Sequence, residues 1–163
     1  MMYLAFWKGE GWFGGSLTDA AIRLFSLSNV SHVEMVFPEE DAEGRNLCFS
    51  SSPRDGAPGM TNGTRFKYIG VMNDPKWIVV RVPWHPGIVK AFCKRIEGLP
   101  YDWAGVLRFA FPFLQESADK YFCSEVCTDG GQEVLQLEDL ISWRTRPGDL
   151  LKAVRERYAS FNQ

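Results

Sequence analysis

The chain has 163 residues, 45% of them hydrophobic and 14% aromatic, enough for one compact domain with a substantial core and no second one. Its 18 basic and 20 acidic residues leave a formal net charge of −2 with no block of like charge, which argues against nucleic acid as a bulk electrostatic partner. No run is long and apolar enough to span a bilayer. The start Met1-Met2-Tyr3-Leu4 lacks the basic segment and cleavage site of a signal peptide, so the expectation is a cytoplasmic, intracellular or phage-encoded protein.

In chain order, Tyr3 to Phe6 reads as a short strand and Gly9 to Gly15 as a glycine-rich loop without a phosphate-binding motif. Apolar residues at helical spacing then predict a helix from Ser16 to Phe25, capped by Ser16 or Thr18. In Ser31-His32-Val33-Glu34-Met35-Val36-Phe37, period-two alternation puts Val33, Met35 and Phe37 on the core face of a strand. His32 and Glu34 share the other face, as a base and an orienting carboxylate would, although such a pair is more often a solvated face.

After an acidic turn from Pro38 to Gly44, Asn46 to Ser50 reads as the returning strand of a hairpin, with Ser50 to Ser52 opposite His32. Ser51 to Lys67, rich in Pro and Gly, reads as a long loop. Strands are expected at Phe66 to Val71 and Trp77 to Val82. A one-faced helix follows from Pro86, closed by Gly98 and Pro100, with His85 as a surface or capping residue.

Asp102 is placed to cap a helix through Trp103, Val106, Leu107 and Ala110. The apolar run Phe109 to Leu114 reads as core in preference to a wall beside a site. Tyr121-Phe122-Cys123-Ser124-Glu125-Val126-Cys127 predicts a short helix with Cys123 in its first turn, ending at Gly130-Gly131. Pro147 opens a C-terminal helix carrying Leu150, Leu151, Val154 and Tyr158.

A cysteine is nucleophilic as the thiolate, which a helix N-terminus or a neighbouring imidazolium favours. Cys123 has access to both if His32 meets it in space. Cysteines are also common as small buried hydrophobes. The four cysteines are too sparse for a disulfide scaffold, so reduced thiols are expected. A zinc site from Cys123, Cys127, His32 and His85 lacks the close CxxC pairing of structural zinc, so neither metal nor cofactor is assigned.

The order of these parts resembles the circularly permuted relatives of the NlpC-type papain-like enzymes, a group that includes YiiX/YaeF-like proteins and the lecithin retinol acyltransferases. The resemblance rests on Ser31-His32-Val33-Glu34, Gly98-Leu99-Pro100-Tyr101-Asp102, Phe122-Cys123-Ser124-Glu125 and Pro147-Gly148-Asp149-Leu150, and spans most of the chain. It implies an α+β fold in which a small antiparallel sheet or barrel carries the nucleophile helix. It further implies Cys123 as nucleophile, His32 as general base, and the Cys123 N–H in an oxyanion hole. Tyr101 would lie near the cleft.

For the third polar residue, relatives often place a Glu or His on the next strand, where this chain has Cys48-Phe49-Ser50-Ser51-Ser52. Glu34 is the first choice because it shares a face with His32, with Ser51 and Asp55 as alternatives; Ser51 is also a candidate for substrate contact. The expected activity is cleavage of an amide or ester through an acyl-enzyme, on a small peptide of cell-wall type or on a lipid-like acyl group. The competing classes are a non-catalytic binding module and a metal-binding protein. Oligomeric state is not legible.

Overall fold

A computed structural model describes residues 1–8, 29–53, 62–109, 111, 113 and 119–161. The expected loop from Gly9 to Gly15, the Ser16 to Phe25 helix and Asp55 lie outside the described residues.

Five strands, β1 (Met2–Trp7), β2 (His32–Glu40), β3 (Asn46–Ser52), β4 (Gly63–Ile69) and β5 (Trp77–Val82), form an open sheet in the order β4-β3-β2-β1-β5. Every pairing is antiparallel. Among the described residues the helices are α1 (Pro86–Ile96), α2 (Trp103–Arg108), α3 (Cys123–Gln132) and α4 (Pro147–Arg157), and the fold is α+β.

Alternation along the strands sorts the sheet into two faces. Leu4, Phe6, Val33, Met35, Phe37 and Phe49 face the main core, which α1, α3 and α4 complete with Val89, Phe92, Val126, Leu150 and Val154. The opposite face carries a smaller cluster of Ala5, Val36, Cys48 and Val71. Glu34 belongs to this second face and is fully buried.

Three expectations change. The helix of Cys123 does not stop at Gly130-Gly131 but runs on to Gln132. These glycines serve close packing: a Cβ on Gly130 would come within 2.7 Å of Met35 Sδ, and one on Gly131 within 2.7 Å of Leu137 Cδ1 and 2.8 Å of Trp84 Cζ2. The expected loop from Ser51 to Lys67 is shortened from both ends, because Ser51 and Ser52 extend β3 and pair with Thr64 and Gly63 of β4. Gly63 adopts a φ of 112°, and any Cβ there would collide with the Leu99 carbonyl, so a glycine that reads as loop punctuation is the start of a strand. Finally, the run after α2 is not uniformly core. Phe109 packs edge-on against Phe122, whereas Phe111 and Phe113 are exposed.

Candidate active site

Two element ends define the site. His32 is the first residue of β2, paired with Trp7 at the end of β1. Cys123 is the first residue of α3, whose N-terminal amides favour a negative charge there. The helix lies across β2, with Gly130 against Met35 and the Cys127 thiol facing the Val33 carbonyl at 3.9 Å. This packing brings the Cys123 thiol within hydrogen-bonding reach of the His32 side chain.

His32 Nε2 lies 2.6 Å from Glu34 Oε1. Neighbours on one strand face therefore do bond directly. With Nε2 committed to the carboxylate, Nδ1 is left as the nitrogen for the thiol. The same Oε1 also takes Lys67 Nζ, at 2.5 Å, from β4 two strands away. Glu34 Oε2 is buried without a hydrogen-bond partner among the described residues.

The electrostatics follow from this crowding. Burial disfavours a charged imidazole, but the Glu34 carboxylate and the contact with Cys123 outweigh it and lift His32 to about 9. Burial likewise disfavours the Glu34 anion, and Lys67 and His32 together overcome that, holding the carboxyl at about 2. The other three thiols, of Cys48, Cys93 and Cys127, are buried and pushed well above the ordinary range by desolvation. All four cysteines are free.

The remaining sequence candidates brace the approach to Cys123. Ser51 is buried, and its hydroxyl donates to the Tyr121 carbonyl at 2.6 Å, tying β3 to the residue two before the cysteine. Ser50 donates to the Val33 carbonyl at 2.6 Å, so these two serines bond main chain instead of the imidazole. Tyr101 is buried, bridges in parallel to Tyr121, and stacks edge-on against the exposed Trp103. His85 stands at the N-terminus of α1, ahead of Pro86.

Sequence reasoning did not assign roles to two residues of this neighbourhood. Glu125 reaches back to accept the Phe122 N–H at 3.3 Å, closing the first turn of α3 under Cys123. Burial, against that N–H, pushes its carboxyl up to about 8, with Asp129 and Asp102 adding to the rise. Lys67, the second residue, stands where the expected loop and the expected Phe66 to Val71 strand overlap, and was given no role.

Among the described residues, no group of three or more His, Cys, Asp or Glu side chains is arranged to hold a metal ion, and no helix is long and apolar enough to cross a membrane. Neither the models of known protein families nor the curated proteins give a match to this chain.

Proposed function

We propose that this chain is a papain-like thiol hydrolase of the circularly permuted NlpC type, acting on an amide or ester carbonyl through an acyl-enzyme at Cys123. The observation that carries the reading is the line Cys123, His32, Glu34: a thiol at a helix N-terminus beside an imidazole whose far nitrogen is held by a buried carboxylate.

In this reading the Cys123 proton already resides on His32 as a thiolate–imidazolium pair, and the thiolate attacks the substrate carbonyl. The bond to the leaving group breaks as the imidazolium returns the proton to it, and water attacks the thioester to release the acid. The Cys123 N–H, at the first position of α3, is free of the intrahelical ladder and so suited to the developing oxyanion.

Peptidase or amidase action on small peptides of cell-wall type is the substrate reading that the resemblance favours. A second reading, cleavage or transfer of a lipid-like acyl group, draws on the exposed apolar residues Trp103, Leu107, Phe111 and Phe113 that follow the Tyr101 segment. Incubation with a panel of peptide amides and acyl esters, followed by intact-protein mass spectrometry, tests both. A covalent acyl adduct on Cys123 and loss of turnover in a folded Cys123→Ala variant are expected. Undiminished turnover in that variant would remove the hydrolase reading.

A further inference from the structure

The pairing of Glu34 with two cations through one oxygen does not follow from a dyad alone. Oε1 lies 2.6 Å from His32 Nε2 and 2.5 Å from Lys67 Nζ, while Oε2 has no hydrogen-bond partner among the described residues. Glu34 is fully enclosed, and Lys67 remains 21% exposed at its side chain. Among the described residues, the groups that bear on Glu34 are His32 from its own strand, Cys48 from β3, Lys67 from β4, and Cys127 from α3, with Cys123 of α3 reaching His32. Of these, Lys67 is the cationic side chain that takes no part in the thiol–imidazole proton exchange.

A buried carboxylate is costly unless a positive charge faces it. In the thiolate–imidazolium state His32 supplies such a charge, and Lys67 is a second one. Once His32 has passed its proton to a leaving group, the imidazole is neutral. Without Lys67 the Glu34 anion would then stand uncompensated in a buried site. It would hold the proton on His32 and resist the transfer.

We propose that Lys67 is a positioning residue of the site, the standing counter-ion that fixes Glu34 and keeps it ionised while His32 gives up and regains its proton. This rests on the thiol-hydrolase reading for its role in turnover, but the ion triad itself does not. Its effect on His32 has a definite sign. A cation about one carboxylate oxygen away disfavours the imidazolium, so Lys67 lowers the proton affinity that Glu34 raises.

The test is the titration of the His32 imidazole by NMR in wild type, Lys67→Met and Lys67→Arg. The chain has two histidines, so His85→Gln in each background leaves one set of imidazole signals. Lys67→Met is expected to move the His32 midpoint upward by about one unit or more, equivalent to about a tenfold tighter hold on the proton. Lys67→Arg should restore most of the wild-type value. With a substrate in hand, kcat should fall about tenfold in Lys67→Met with KM nearly unchanged, because the lost step is proton return and not binding.

An unmoved His32 midpoint in a folded Lys67→Met protein would overturn the proposal, as would a downward shift. If that variant does not fold, Lys67→Gln, which keeps a hydrogen-bond donor without the charge, decides the same point. Should wild-type Cys123 prove indifferent to His32→Ala, the hydrolase reading fails. The NMR comparison would still judge the hold of Lys67 on the Glu34–His32 pair.

Discussion

Glu34→Gln keeps the outline of the side chain and removes its charge, which makes it the sharpest perturbation of the site. In the wild type the carboxylate draws His32 Nε2 to 2.6 Å and Lys67 Nζ to 2.5 Å. The imidazole stands at about 9 because the Glu34 anion and Cys123 outweigh its burial. With an amide in place, burial is left opposed by Cys123 alone, and Lys67 becomes an uncompensated neighbouring cation. The His32 midpoint should therefore fall below its ordinary value of about 6.5, a drop of more than about two units or roughly 3 kcal/mol in proton affinity. Removing one partner from a buried ion pair costs about 3–5 kcal/mol when the other charge stays buried. His32 can shed its proton and the partly exposed Lys67 can turn toward water, so the lower end, about 3 kcal/mol in urea unfolding at pH 7, is expected. The assay is the imidazole titration in the His85→Gln background, together with denaturation. A midpoint still near 9 in Glu34→Gln would refute the reasoning, since some other group would then be charging His32.

Two further outcomes follow from the same structure. Because His32 rises from 6.5 to about 9 on folding, its contribution is fully present below pH 6.5 and is lost as pH climbs through 9; Glu34, lowered from 4.5 to about 2, contributes above pH 4.5 and loses that as pH falls through 2. The stability difference between wild type and His32→Gln should thus shrink by about 3 kcal/mol between pH 6.5 and 9 in thermal or urea unfolding, and a difference that stays level would contradict the charged imidazole. Gly131→Ala should destabilise by about 1–2 kcal/mol although alanine usually gains about 0.5–1 kcal/mol in a helix, because the new Cβ meets buried Leu137 and Trp84 at 2.7 and 2.8 Å. A stabilised Gly131→Ala protein would show that the helix has room there.

Much of the scaffold was legible because its signals are local. Trp77–Val82 is a strand as expected, with Pro83 marking its exit, and Pro86 opens α1 as a proline at the first helical position should. Cys123 begins its helix as its surroundings suggest. His32 and Glu34 share a strand face because the period of a strand is two.

What sequence reasoning missed is decided by tertiary contact. Gly130 and Gly131 carry the same letters as a helix terminator, and only the presence of Met35, Leu137 and Trp84 reveals them as a packing surface. Lys67 fell within the expected Phe66 to Val71 strand, but its reach to Glu34 two strands away is set by the sheet order and not by any local signal. The burial of Glu34 was equally out of reach, since alternation separates the two faces of a strand without saying whether the second is covered. Ser51, a candidate for ligand contact by position, is instead bonded to the Tyr121 carbonyl, a partner 70 residues away in sequence.

The central claim is that Cys123 is an activated thiol under the control of His32. Alkylation by iodoacetamide across pH, with Cys48, Cys93, Cys123 and Cys127 followed separately by peptide mass spectrometry in wild type and His32→Ala, tests it most directly. The account predicts that Cys123 is alkylated at neutral pH much faster than the other three thiols and that His32→Ala slows it markedly. A Cys123 no more reactive than the three desolvated thiols, or one indifferent to the loss of His32, would contradict it.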